Sequence, residues 1–176
     1  MNERLDRARA LLRDVPDFPK PGILFKDITP MLGDADAFSA VLDALVERYK
    51  PEGIHKVLGI EARGFIFGAA LASRLGVGFV PARKPAKLPW HTDRIVYALE
   101  YGSDSIEIHK GSFEAGERAL IVDDVIATGG TASAAVELAR RQGATVVGAA
   151  FLVELSFLNG RQRLPVDLDV YSVMRF

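Results

Sequence analysis

The sequence predicts an α/β fold in which a mainly parallel sheet is covered by helices on both faces. Two stretches each run as a short apolar strand, a loop and a helix: "KVLGIEARGFIFGAALASRLG" at 56–76 and "ALIVDDVIATGGTASAAVELARRQG" at 119–143. Another apolar strand, "TVVGAAFLVEL", follows at 145–155. Near-continuous apolar strands that alternate with helices are typical of parallel sheets buried on both sides.

The remaining elements follow from periodicity and from helix-stopping residues. Apolar residues recur at helical spacing from Phe38 to Tyr49, and "KPEG" at 50–53 ends that helix. Residues 94–112 alternate apolar and polar around Gly102, which predicts a hairpin outside the main sheet with one solvent-facing side. "LDVYSVMRF" at 168–176 is predicted to be the last strand.

Composition limits the possible classes of protein. A chain of 176 residues is expected to form one compact domain, 1–176. The 22 basic and 23 acidic residues leave no broad basic surface, so we expect no nucleic-acid partner. The absence of cysteine excludes disulfides and thiolate metal sites. No apolar run approaches a signal core or a membrane span, so we expect a cytoplasmic protein without a membrane partner.

The loop "ATGGT" at 127–131 has the composition of an anion site. Ligands of an open parallel sheet bind beyond the carboxyl ends of its strands, which is where this loop is predicted to lie. Gly129 and Gly130 let a ligand approach the backbone, and Thr128 and Thr131 add hydroxyl groups. Because the next helix also presents unpaired N–H groups, the loop is predicted to bind a phosphate.

Asp123 and Asp124 are predicted to end the strand, two residues before "ATGGT", and would repel a phosphate. Two adjacent carboxylates instead suit the hydroxyl groups of an attached sugar or the water shell of a magnesium ion. The loop lacks the lysine of a nucleotide-hydrolase P-loop, and Pro81 occupies the third glycine position of a GxGxxG motif. The residues therefore favour a sugar phosphate over these two nucleotide-binding modes.

"LIVDDVIATGGT" at 120–131 resembles the phosphoribosyl pyrophosphate signature of type I phosphoribosyltransferases. The stretches "DFPKPGILFKDITP" at 17–30, "GIEARGFIFG" at 59–68, and "RKPAKLP" at 83–89 with "LEYG" at 99–102 resemble the members that use adenine. The resemblance implies conversion of adenine and phosphoribosyl pyrophosphate to AMP and pyrophosphate, with magnesium, by a homodimer.

The same resemblance implies the type I phosphoribosyltransferase fold. Residues 1–35 would form an N-terminal helix and a hood over the base. Residues 83–109 would form a protruding, flexible catalytic loop.

The resemblance assigns roles to individual residues. Asp123 and Asp124 would bind the ribose hydroxyls. The pyrophosphate would meet four basic side chains, some of which can act across a dimer: Arg63, Arg83, Lys84 and Lys87. The 5′-phosphate would meet Ala127, Thr128, Gly129, Gly130 and Thr131.

Two further assignments concern the base. Glu100 corresponds to the family's proposed catalytic acid, acting together with Arg63, and would exchange a proton with the purine. Phe25 would stack on adenine, while backbone groups of Leu24 and Lys26 would bind its Watson–Crick edge. No residue is expected to ligate magnesium directly, since substrate and water would hold most of its coordination sphere.

Two alternatives remain at this point. A phosphoribosyltransferase for a 6-oxopurine usually has a Glu-Asp pair and a C-terminal base-binding segment, neither of which is found in this sequence. A non-catalytic regulator that senses phosphoribosyl pyrophosphate would need a DNA-binding element, for which the short N-terminal helix leaves no room.

Overall fold

The computed structural model describes residues 3–98 and 102–176, which form two compact units. The first unit ends at Leu45 and the second begins at Val46. No helix in the described ranges is long and apolar enough to cross a membrane.

The first unit contains a short antiparallel strand pair and three helices. An aspartate precedes two of the helices: Asp27 accepts hydrogen bonds from the backbone N–H and hydroxyl of Thr29, and Asp34 accepts one from the Ala37 backbone N–H. The Thr29 bonds are the main reason that the pKa of Asp27 falls to about 2. The elements are α1 (Glu3–Ala10), β1 (Arg13–Pro16), β2 (Leu24–Asp27), α2 (Thr29–Leu32) and α3 (Ala35–Tyr49), the last of which continues into the second unit.

The second unit is built on a five-stranded sheet in which every pair of neighbouring strands is parallel. The helix α3 ends in a 3₁₀ turn at Lys50–Glu52. Gly53, with φ of 58°, follows this turn before the first strand of the sheet. The elements are β3 (Lys56–Ile60), α4 (Gly64–Leu75), β4 (Gly78–Ala82), β5 (Thr92–Ala98), β6 (Ser103–His109), β7 (Arg118–Ile126), α5 (Gly130–Arg141), β8 (Thr145–Glu154) and β9 (Asp169–Arg175). The strand order across the sheet is β4-β3-β7-β8-β9.

The two long helices of this unit cover opposite faces of the sheet. Gly68 of α4 packs on Gly59 and Val57, whereas Leu58 and Ile60 belong to the apolar core that includes the buried residues of α5. Alternate residues of a strand point to opposite faces, so α4 and α5 lie on different sides. This confirms the predicted α/β class with a parallel sheet flanked by helices.

The hairpin of β5 and β6 forms its own two-stranded sheet, as predicted. Its apolar residues Ile95, Ile106 and Ile108 join the core beneath α5. The prediction of one solvent-facing side was wrong for β6, because Ser105 and Glu107 are buried as well. The backbone of Glu107 exchanges two hydrogen bonds with Arg83 just beyond β4, which encloses this strand.

Two boundaries and one strand differ from the sequence-based expectation. β7 continues to Ile126, so that the acidic pair lies inside a strand, and α5 begins at Gly130. The strand β4 was not predicted, because "GFVPA" is short and contains Pro81. β4 is an edge strand, where a missing N–H is tolerated.

Candidate active site

The candidate site lies where the sheet reverses its winding. β3 leads through α4 to its neighbour β4 on one side, whereas β7 leads through α5 to β8 on the other. The loops that follow β3 and β7 therefore meet at one edge of the sheet, which is where open α/β sheets bind ligands. They enclose a cleft of about 250 Å³. Its lining is Ile60–Arg63, Lys84 and Asp123–Ala132.

The predicted phosphate loop forms one wall of this cleft. Gly129 has φ of +80° and precedes the first residue of α5, without any side-chain hydrogen bond that caps the helix. The N–H groups of the first helical turn are therefore available to an anion. The backbone oxygen of Gly129 accepts the N–H of Ser133, which fixes the turn.

The acidic pair lies on β7 at the floor of the cleft. The Asp124 N–H donates a 2.8 Å hydrogen bond to an oxygen of the Asp123 carboxyl. Burial, and then the negative charge of Asp124, raise the pKa of Asp123 well above its usual range. A Cβ on Gly64 would lie 2.7 Å from that carboxyl, so only glycine allows α4 to begin this close to Asp123.

Arg63 reaches the acidic pair from the other loop. Its guanidinium forms an ion pair with the carboxylate of Asp124. The Asp124 side chain is 7% exposed, whereas Arg63 is 44% exposed, so the arginine also faces the open part of the cleft. The structure thus brings Arg63 and the predicted ribose-binding residues together.

Three of the predicted pyrophosphate residues form hydrogen bonds with Glu61, a residue that the sequence did not indicate. The Glu61 carboxylate accepts bonds from Arg83 at 2.8 Å, from Lys87 at 2.9 Å and from the Lys84 backbone N–H at 2.9 Å. Burial would raise the pKa of Glu61, but these bonds outweigh it and hold the pKa below its usual range. Glu61 therefore connects the loop after β3 to the segment after β4 through hydrogen bonds.

The Lys84 side chain is bound by the hairpin. Its ammonium group pairs with Asp104 and donates a 3.1 Å hydrogen bond to the hydroxyl oxygen of Tyr97. That same oxygen accepts a 3.0 Å bond from the hydroxyl of Thr131 in the phosphate loop. Tyr97 and Asp104 face each other across the β5–β6 ladder, so the hairpin contacts residues of both predicted phosphate sites.

The predicted adenine residues lie in the first unit, on β2. Leu24 is exposed, and the half-buried Phe25 meets the Phe18 ring edge-on at 5.1 Å between centroids. Lys26 forms an ion pair with Asp14 of the paired strand. Within the described residues, β2 forms a sheet only with β1.

Glu100, the predicted catalytic acid, lies outside the described residues, as do the other residues between 98 and 102. No group of three or more potential metal-binding side chains occurs within 3–98 and 102–176. These ranges contain the remaining predicted site residues, and their assigned roles stay predictions.

Comparison with known proteins identifies the class to which this fold and site belong. Residues 32–175 match the protein family described as "Phosphoribosyl transferase domain". The matched range includes β3, α4, β7 and α5, and therefore both loops of the cleft.

Individual relatives with high sequence identity indicate which phosphoribosyltransferases this chain resembles. An adenine phosphoribosyltransferase of Sorangium cellulosum is 58% identical over 172 residues, which cover 96% of this chain and 86% of that protein. The crystal structure of the adenine phosphoribosyltransferase of Rhodothermus marinus has a TM-score of 0.95 at 50% identity, with full coverage of both chains. That of Saccharomyces cerevisiae, in complex with an imino-altritol bisphosphate and adenine, has a TM-score of 0.93 at 41% identity and covers 99% of this chain and all of that one. The chain belongs to the phosphoribosyltransferase family and, within it, to the adenine phosphoribosyltransferases.

Proposed function

We propose that this enzyme transfers the 5-phosphoribosyl group of phosphoribosyl pyrophosphate to adenine, forming AMP and releasing pyrophosphate. The observation that carries the proposal is the order of groups along the cleft. A phosphate loop, an acidic pair and a group of basic side chains follow one another, and they match the 5′-phosphate, ribose and pyrophosphate of one substrate.

The proposed contacts follow from the chemistry of each group. The backbone N–H groups and hydroxyls of Ala127–Thr131 hold the 5′-phosphate, and Asp123 and Asp124 accept bonds from the ribose hydroxyls. Arg63 forks onto pyrophosphate oxygens, and Arg83, Lys84 and Lys87 add positive charge.

The reaction forms a bond between adenine N9 and ribose C1′ while the bond from C1′ to pyrophosphate breaks. Positive charge grows on the sugar and negative charge on the leaving group, so fixed charges in the cleft stabilise the transition state. The proton that adenine gives up passes to Glu100, a contribution of about 10²–10⁴-fold in rate.

Magnesium is the proposed cofactor. Adjacent carboxylates suit a hydrated Mg²⁺ that also binds substrate oxygens, and Asp123 and Asp124 are such a pair. When bound, the ion neutralises developing negative charge on pyrophosphate.

Adenine is proposed to stack on Phe25 and to form hydrogen bonds with the backbone of Leu24 and Lys26. Stacking tolerates any purine, so hydrogen bonds must select adenine. A site that pairs with the exocyclic amine rejects an analogue without it by about 10⁴–10⁵-fold, since its own polar groups would stay unpaired.

We further expect a homodimer in the cytoplasm. Light scattering coupled to size-exclusion chromatography tests the first expectation, and a particle of two 19.1 kDa chains is the expected result. A monomer that turns over at full rate would contradict it.

The test of the function is AMP formation from phosphoribosyl pyrophosphate and magnesium with adenine, hypoxanthine, guanine or xanthine. We expect turnover with adenine alone, and a loss of about 100-fold or more in Glu100→Ala. The exposed Glu114→Ala serves as the matched control and should retain wild-type activity. Turnover of a 6-oxopurine, or tight phosphoribosyl pyrophosphate binding with no turnover of any base, would refute the proposal.

A further inference from the structure

A segment that the proposed mechanism does not use lies behind the phosphate loop. After β8, the chain forms two short 3₁₀ turns, Ser156–Leu158 and Gly160–Arg163. Asn159 joins them with φ of +53°. Gly160, at the start of the second turn, is buried although its neighbours Asn159 and Gln162 are exposed.

Gly160 and the phosphate loop are in direct backbone contact. A Cβ on Gly160 would lie 2.1 Å from the backbone oxygen of Ala127. A Cβ on Gly129 would lie 2.1 Å from the backbone oxygen of Gly160. Neither position can accept a methyl group without moving backbone, so the position of one segment fixes that of the other.

A charge network around the buried Glu154 fixes the segment at the residue next to Gly160. The Glu154 carboxylate, 7% exposed at the end of β8, accepts bonds from the Arg161 guanidinium at 2.7 and 3.2 Å. It also accepts a 2.7 Å bond from the Ser172 hydroxyl and faces Arg175 at 3.3 Å. Another Arg161 nitrogen donates to the Val170 backbone oxygen at 2.5 Å. Arg161 is thus bound both to Glu154, the last residue of β8, and to Val170, the second residue of β9.

We propose that Gly160 and the Glu154–Arg161 pair are positioning residues for the 5′-phosphate loop. The pair holds the 3₁₀ turn against the sheet, and the turn holds Ala127 and Gly129 where their backbone can receive a phosphate. A loop that binds an anion by converging N–H groups loses affinity steeply when it is displaced, and a shift of about 1 Å can cost up to about 10²-fold. This inference rests on the proposed function, since it assigns the loop its phosphate.

The Arg161→Met variant tests the role, because methionine keeps an apolar stem but removes the guanidinium. We expect the Kd for ribose 5-phosphate, measured by calorimetry, to rise about tenfold, while the Kd for pyrophosphate changes less than about twofold. The KM for phosphoribosyl pyrophosphate should rise more than kcat falls. Arg161→Lys should restore part of the ribose 5-phosphate affinity, since it keeps the charge but not the fork. Arg163→Met, in the same turn and exposed, is the matched control and should resemble wild type.

Gly160→Ala provides a second, independent perturbation. We expect it to weaken ribose 5-phosphate binding more than Arg161→Met does, with a cooperative thermal transition retained. If it fails to fold, the arginine variants still decide the question. Equal losses of ribose 5-phosphate and pyrophosphate affinity, or an Arg161→Met variant identical to Arg163→Met, would overturn the inference.

The binding measurements separate this inference from the proposed function. A wild-type protein that binds ribose 5-phosphate but makes no AMP would refute only the proposed function. A wild-type protein that does not bind ribose 5-phosphate would overturn this inference.

Discussion

The ionised form of the Asp123 side chain is destabilised by its surroundings in the folded protein. Asp123 is half-buried beside Asp124 and in contact with the start of α4, and both its removal from water and the neighbouring charge oppose its ionisation. Active sites commonly retain such groups at the expense of stability, because the reaction needs them. The Asp123 carboxyl is therefore expected to lower stability while serving the proposed ribose contact.

Asp123→Asn should separate these two effects. Asparagine keeps an acceptor oxygen for the Asp124 N–H but removes the charge. We expect the free energy of unfolding at pH 7 to rise by about 1 kcal/mol, and kcat/KM to fall about 10- to 100-fold through the lost charged hydrogen bond. Chemical denaturation and AMP formation measure these changes, with the exposed Asp167→Asn as control.

The pH dependence of this stability difference has a definite sign. The pKa of Asp123 is raised in the folded protein, so the folded state binds more protons than the unfolded state above about pH 3.9. Wild type should lose stability relative to Asp123→Asn as the pH rises above that value, and the two should converge below it. A difference that is independent of pH would show that the charge is not the cause.

Glu61 shows the opposite behaviour. Its pKa is lowered because bonds from Lys87, Arg83 and the Lys84 N–H outweigh the effect of burial. Its stabilising contribution is present above about pH 4.3 and is lost as the pH falls through the lower value in the folded protein.

Glu61→Gln should therefore reduce the free energy of unfolding at pH 7. The expected loss is on the order of 1 kcal/mol, because Arg83 and Lys87 are partly exposed and water screens their charges. Urea denaturation between about pH 3 and 7 checks the result, since the variant and wild type should become equal near the acid end. A deficit that persists unchanged at low pH would contradict this account.

The hairpin of β5 and β6 contacts residues on both sides of the cleft. Its Tyr97 hydroxyl accepts bonds from Thr131 and from Lys84, which belong to the two proposed phosphate sites. The ring also lies 5.6 Å from the Lys84 ammonium, close enough for a cation–π contact. Tyr97 of β5 therefore links the start of α5 to the segment after β4.

Tyr97→Phe should isolate the hydroxyl contribution, since the ring and its contact with Lys84 remain. Each of the hydrogen bonds that the hydroxyl makes is worth about 1 kcal/mol, so we expect the KM for phosphoribosyl pyrophosphate to rise at least about fivefold. Steady-state kinetics checks this, beside Tyr171→Phe on β9 as the matched control. Equal effects of the two substitutions would indicate a general loss of packing.

Periodicity predicted most of the elements but not all of their boundaries. α4, α5, β3, β8 and β9 follow from runs with a clear period, and the structure confirms them. The sequence predicts that β7 ends at the polar residues Asp123 and Asp124. This prediction is wrong, because β7 continues through Val125 and Ile126. For β6, the polar Ser105 and Glu107 suggested solvent, yet hydrogen-bonded neighbours make their burial possible.

The sequence also led to the residues that line the cleft, because the strand–loop–helix units carry them in order. The sequence does not indicate the roles of Glu61 and Gly160, for a physical reason. Their contacts join positions more than twenty residues apart in the chain, and no local pattern marks a carboxylate that will meet two distant cations or a glycine that will touch another loop.

At the scale of the whole molecule, the reversal of winding between β3 and β7 accounts for the location of the site. Two strand–helix–strand units, which start from the adjacent strands β3 and β7 and wind in opposite directions, place their loops at one point of the sheet edge. One loop presents backbone N–H groups, and the other begins with a carboxylate that gathers cations. The topology thereby places the two proposed anion-binding groups side by side without a dedicated domain for either.

The pairing of the four predicted pyrophosphate cations has a consequence for how the substrate arrives. Arg63 pairs with Asp124, Arg83 and Lys87 with Glu61, and Lys84 with Asp104. The chain as a whole carries a formal charge of −1. Beyond a Debye length of about 8 Å, such a site exerts little attraction on a polyanion.

The association rate constant for phosphoribosyl pyrophosphate should accordingly change less than about threefold between about 0.05 and 0.5 M salt, as measured by stopped-flow fluorescence. A steep fall with added salt would contradict this expectation. At the proposed site, binding of the substrate would exchange counter-ions at contact distance, with phosphate oxygens replacing carboxylates around the same guanidinium and ammonium groups. The many other phosphorylated solutes of a cell would then be neither drawn to the cleft nor concentrated in it.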